Sequence, residues 1–240
     1  MKRIISLFLI IAVFFSPSGC SDNNATSKVT PEEVKTRVIS EATAYLKENY
    51  PNDEFTYLEG RSPNWAYSYY ELGFTSKNYD NQKVTVFAES TNEKNDKGST
   101  KYNYSDDYYQ YYMLEDAEKY FYDIAKEYFD DDIIVKVGFA TGIGFADDIP
   151  CNMTFSEFIS KKAGSLFVSF FYSKDYKSKN IDMFINTIKN ECNMLCSFGK
   201  IKNGKEEYIK NNKLSTIKGN ASNCYDNEAT YVIDSNGNIT

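Results

Sequence analysis

Thr30-Pro31-Glu32-Glu33-Val34 is the stretch on which the fold turns. It supplies an N-cap threonine, a proline at the first helical position and a glutamate three residues after the cap, the signature of a capping box. A helix starts here. Val34, Val38, Ala42, Tyr45 and Leu46 carry it forward at spacings of three and four until Asn49-Tyr50-Pro51 stops it. Three aromatic, alternating segments follow, Glu54 to Gly60, Trp65 to Thr75 and Lys83 to Ser90, and read as a strand meander for the helix to cover. Thr91 to Ser105 has hardly an apolar residue and reads as an exposed loop.

Further along, Leu114, Ala117, Phe121, Ile124 and Tyr128 trace a second helical stripe ending near Asp130, and β-branched Ile133 to Ala140 reads as a strand. Thr154-Phe155-Ser156-Glu157 is another capping box, opening a short helix that Gly164 ends, and Leu166 to Tyr172 is an apolar strand. Ile181, Phe184, Ile185, Ile188, Cys192 and Leu195 suggest a third helix closed by Gly199, and Tyr231-Val232-Ile233 enters a hairpin turn at Asp234-Ser235-Asn236-Gly237. The sum is α+β, a mostly antiparallel sheet with helices packed on one face: an αβββαβ first half, then αβα and C-terminal strands. The halves span 30–140 and 151–240, as two units or as one continuous domain, since no Pro/Gly/Ser linker separates them.

Upstream, Lys2 and Arg3 precede an apolar run from Ile4 to Phe15 broken only by Ser6, followed by Ser16-Pro17-Ser18-Gly19-Cys20. This is the pattern of a signal peptide over 1–19. A helix of that run rises only about 18 Å, short of the hydrocarbon core of about 30 Å. Ser18-Gly19-Cys20 resembles the end of a bacterial lipobox, with Pro17 where that pattern usually has Leu. The resemblance implies cleavage before Cys20, acylation of that cysteine, and a lipid-anchored protein on the extracytoplasmic side of the cell membrane. Residues 20–29 then form a flexible tether. Losing Lys2 and Arg3 makes the formal charge of −7 two units more negative, so nucleic acid is not an expected partner and attachment falls to the acyl chains.

The chain contains no histidine, which excludes Ser-His-Asp and Cys-His catalysis, HExxH peptidases and imidazole metal sites. No cofactor signature stands out. Gly142-Ile143-Gly144-Phe145-Ala146-Asp147 follows a strand, but an aspartate replaces the third glycine of a dinucleotide loop. Asp130-Asp131-Asp132 and Asp147-Asp148 offer carboxylates for calcium or acid/base work, against the plainer reading of solvated helix and loop ends. The chain is rich in tyrosine and phenylalanine, 21 and 17 residues. Half of such rings are needed for a core, and the remainder suit a binding surface, for which Trp65, Tyr67, Tyr69, Tyr109 and Tyr112 are the candidates. Trp65 to Tyr70 and Tyr108 to Phe121 are similar to uncharacterised bacterial lipoproteins, a resemblance that implies no activity.

With Cys20 assigned to lipid, Cys151, Cys192, Cys196 and Cys224 remain as an even set in an exported chain. On one helix Cys192 and Cys196 point in parallel, so two disulfides would join them separately to Cys151 and Cys224. Four buried thiols and a four-thiolate zinc site are the alternatives. The expected function is a non-enzymatic, membrane-tethered module binding a protein or envelope component; the rival is an envelope hydrolase using paired carboxylates, with glycans as the candidate substrate.

Overall fold

The computed structural model describes residues 29–95, 98–129, 131–141, 149–176, 178–191 and 193–240. Residues 1–28, with the signal and Cys20, lie outside the described residues, as do Asp130, the Gly142–Asp148 stretch and Cys192.

α1 spans Pro31–Asn49, and its capping box is formed as read: the Glu33 amide donates to Thr30 Oγ1 while the Glu33 carboxylate accepts from the Thr30 amide. Its buried stripe is Val38, Ala42 and Leu46. Beneath it lies an antiparallel sheet ordered β1 (Phe55–Arg61), β2 (Tyr69–Ser76), β3 (Gln82–Lys94) and β4 (Thr100–Asp106). Leu72, Phe74, Val84, Val86 and Ala88 meet the helix stripe in one apolar cluster. β1 is an edge strand whose register slips between Tyr57 and Glu59. The expected loop at 91–105 is instead the far end of the β3–β4 hairpin. It is polar because it projects from the core, and only Tyr102 and Tyr104 keep an inward alternation.

β4 runs through Asp107 and Tyr108 into α2 (Tyr109–Tyr112) and α3 (Leu114–Ala125), which lead to β5 (Ile134–Phe139). The second sheet is ordered β5, β6 (Ser165–Tyr172), β7 (Asn193–Ile201) and β8 (Tyr225–Ile233). Its pairs are antiparallel except β6–β7, which is parallel and needs a crossover, supplied by α5 (Ser178–Ile188). α4 (Phe155–Lys161) carries the second capping box, formed between Thr154 and Glu157. α3, α4 and α5 pack on one face, burying Phe121, Phe158, Phe170, Phe184 and Phe198. Three short helices, α6 (Glu206–Asn211), α7 (Leu214–Gly219) and α8 (Ala221–Cys224), add a smaller cover on the opposite face around Phe171, Ile209 and Ile217.

The third helix stops at Ile188, short of the sequence expectation, because the residues beyond Asn193 alternate. Met194, Cys196 and Phe198 point into the core from a strand, and Leu195 belongs to β7, not to a helix. Gly199 caps nothing: a Cβ there would lie 2.5 Å from Tyr225 Cδ2, so the glycine admits the Tyr225 ring from β8. The hairpin turn at 234–237 is present, with Gly237 at a φ of 79° and the Asp234 carboxylate accepting from the Asn236 and Asn238 amides. The overall class is α+β, with mostly antiparallel pairing.

Candidate functional site

An inward-facing position at the end of a strand normally takes an apolar side chain; β4 puts Asp106 there, buried in the first half. Its carboxylate is met by donors. Tyr45 Oη lies 2.8 Å from Oδ2, Tyr50 Oη 3.0 Å from Oδ1, and the Tyr108 amide 2.8 Å from Oδ1. Nearby, buried Asp53 accepts from Tyr108 Oη at 2.9 Å, Ser76 Oγ at 2.5 Å, and the Glu54 and Asn78 amides at 2.7 and 3.0 Å. Asp107 accepts from the Thr85 amide at 2.7 Å. Burial pushes the Asp106 carboxyl above its ordinary range despite its donors, and pushes Asp107 up to about 7. Burial also opposes ionisation of Asp53, but its four donors outweigh it and hold that carboxyl below the usual value. Chemically this is a sealed network: the oxygens are taken by internal donors, and Asp106 and Asp107 lie beneath the surface.

The network borders a cleft of about 400 Å³ between the two halves. Tyr50, Asp53, Tyr79, Tyr112, Asp116 and Cys151 line it, among others. The Tyr50 and Tyr108 rings are 4.2 Å apart, and Cys151 Sγ donates to Asn49 Oδ1 at 3.4 Å.

The second feature is the connection between β1 and β2. Asn64 closes a tight turn, donating its amide to the Tyr67 carbonyl at 2.8 Å while its side-chain oxygen accepts from the Ala66 and Tyr67 amides at 2.8 and 3.2 Å. The turn holds Trp65 outward, 99% exposed. Tyr67 and Tyr69 pack edge to face at 5.6 Å, and Tyr69 rests on Phe87 at 6.0 Å. The Arg61 guanidinium lies 5.3 Å over the Tyr67 ring and 2.8 Å from Glu71. These contacts make a braced aromatic surface with a charged margin.

Tyr67 and Tyr69 thus pack together, with Trp65 beside them on the turn, whereas Tyr109 and Tyr112 do not join them. Tyr109 is 2% exposed, its hydroxyl donating to the Ala140 carbonyl at 2.8 Å, and it belongs to the second core. Tyr112 is half-buried between the two clusters. The reason is helical geometry: consecutive residues diverge by about 100°, so Tyr108 enters the first cluster and Tyr109 the second.

The described cysteines sit in three different clusters: Cys151 beside the first, Cys196 inside the second, Cys224 inside the third. Cys151 and Cys224 carry free thiols, and Cys196 lies on a strand, which removes the shared-helix premise for the expected pairings. Among the described residues no group of three or more His, Cys, Asp or Glu side chains could hold a metal ion. Asp132 of the aspartate run accepts from Ser173 Oγ at 3.0 Å and lies 3.5 Å from Lys174 Nζ. Sequence reasoning missed Asp53 and Asp106; the signal for Asp106 was the alternation Tyr102, Tyr104, Asp106, which carries a carboxylate onto the buried face.

No family model and no curated protein matches the chain. A solved structure of a DUF5037 family protein from Ruminococcus gnavus ATCC 29149 superposes with a TM-score of 0.43 at 12% identity, covering 82% of this chain and 91% of that one.

Proposed function

We propose that the chain is a lipid-anchored, extracytoplasmic module without enzymatic activity, which binds a protein or envelope component through Trp65, Tyr67 and Tyr69. The observation that carries the reading is Trp65, 99% exposed on a turn fixed by Asn64. A large apolar ring left in water forgoes burial worth about 1.5–3 kcal/mol until a partner covers it, and aromatic anchors of this kind dominate binding energies. Attachment rests on the signal and Cys20. No described helix is long and apolar enough to cross a membrane.

The hydrolase reading draws less support. A glycosidase pair needs two carboxylates facing one substrate, and Asp53, Asp106 and Asp107 are spent on internal donors.

Trp65 is the only tryptophan, so its emission reports directly on the proposed surface. Titration with purified cell-wall glycan and, separately, with membrane protein extract should shift the emission to the blue for one of them, and Trp65→Ala should lose retention on the same material. Equal retention of wild type and Trp65→Ala would overturn the surface. Mass spectrometry of the mature protein should show a diacylated or triacylated Cys20; an unmodified terminus would overturn the anchor.

A further inference from the structure

A second cleft, of about 360 Å³, opens where α2 and α3 meet β5, β6 and α7. Tyr111, Leu114, Val137, Phe139, Phe167 and Leu214 give it apolar walls, and Phe167 is 40% exposed there although it sits on an interior strand. Gly138, paired with Phe167 across β5–β6, leaves the groove open: a Cβ would meet Leu214 Cδ2 at 3.5 Å and Phe167 Cβ at 3.8 Å, ordinary contacts with no clash. The volume falls within the range of small-molecule pockets, about 300–1,000 Å³.

Charge is distributed unevenly around this cleft. Glu118, its one carboxylate, is engaged by Lys136 Nζ at 3.4 Å and by the Val137 amide at 3.5 Å. Lys213 and Lys218 are not engaged by any carboxylate among the described residues. Their ammonium groups lie 5.3 Å from the Tyr111 ring centre and 5.5 Å from that of Phe167, against the apolar walls. Partial burial of the Lys218 side chain against the Phe167 ring holds its pKa below the ordinary value, while the residue stays exposed at the rim. Two cations that no described carboxylate engages thus stand at the rim of one apolar groove.

We infer that this cleft binds a single-chain anionic amphiphile of the fatty-acid type, its tail along Phe167, Leu214 and Leu114 and its carboxylate at Lys213 and Lys218. The tail removes apolar wall from water, and the head pairs with the two rim ammonium groups. The site is separate from the Trp65 surface and does not depend on that reading.

The test is calorimetric titration of the full chain carrying Cys20→Ser, so that no attached acyl group competes. Dodecanoate should bind saturably at one site, and dodecan-1-ol, with the same tail and no charge, at least about tenfold more weakly. The double variant Lys213→Gln/Lys218→Gln should lose that difference, binding both at the alcohol's strength. Gly138→Val should weaken binding of both by occupying the part of the groove between Phe167 and Leu214. Equal affinity for acid and alcohol, an unaffected lysine variant, or binding only to phosphatidylglycerol vesicles and not to dodecanoate would each overturn the proposal. The lysine substitutions are at the surface, so they keep the test decisive if Gly138→Val fails to fold.

Discussion

Asp107 is the residue whose charge state most directly ties stability to pH. Burial, helped by neighbouring Asp106 and opposed by the Thr85 amide, raises its pKa to about 7, while in the unfolded chain an aspartate ionises near about 3.9. The folded value lies above the unfolded one, so this side chain's contribution is complete below about pH 4 and is lost as pH climbs through about 7. Asp107→Asn keeps an acceptor for Thr85 and cannot ionise. Relative to wild type it should therefore gain stability with rising pH, by about 1 to 4 kcal/mol at about pH 8. Urea midpoints of both proteins across that range check this, and parallel curves would refute it. Cysteine reactivity is a second residue-level readout. Cys151 is half-exposed at the cleft whereas Cys196 and Cys224 are buried, so brief labelling of the native chain should modify Cys151 well before either of those two, with Cys151→Ser removing the early adduct. Residue composition let Trp65, Tyr67 and Tyr69 be found, because alternate aromatic residues beside a turn announce a strand end with rings to spare. It misplaced Tyr109 and Tyr112, since a run of tyrosines bridging a strand and a helix does not say which core each ring enters. Lys213 and Lys218 escaped notice because an unpaired lysine is visible only once its neighbours in space are known.

At the scale of elements, Leu46 is the clearest test of how α1 sits on its sheet. It is fully buried against the sheet cluster, so Leu46→Ala should cost about 2 to 5 kcal/mol. A loss below about 0.5 kcal/mol in denaturant titration would put that face of the helix in water. Both long-range layers and both capping boxes were legible, because a cap and a stripe are written within a few consecutive residues. The short helices α6, α7 and α8 were not, and two further stretches were misread. Around Ile188 to Gly199 the apolar residues fit a helical spacing through Cys192 and Leu195 and a strand alternation through Met194, Cys196 and Phe198. Pairing with β6 and β8 decides for the strand, and that is information from distant parts of the chain. Apart from Tyr102 and Tyr104, the far end of the β3–β4 hairpin is polar on both faces, so its pattern resembles a loop; its strand character comes from backbone pairing such as Ser90 with Tyr102 and Lys94 with Thr100.

For the whole molecule, the passage from β4 to α3 makes the halves interdependent. Tyr108 is buried in one cluster and its neighbour Tyr109 in the other, Tyr112 touches both, and Tyr111 Oη donates to the Lys83 carbonyl at 2.6 Å. Unfolding either half strips partners from the other, so a single cooperative transition is expected, with calorimetric and van't Hoff enthalpies equal. Two resolved transitions would show two independent units. The slipped register of β1 bears on how copies of the chain behave in company. Anchored as proposed, they would share one membrane plane, where crowding brings exposed sheet margins into repeated collision. A regular strand at such a margin is a template for adding a neighbour's strand. The kink between Tyr57 and Glu59, with Glu59 and Arg61 bearing charge beyond it, spoils that template, so dense populations of the chain should stay discrete and not polymerise through this rim.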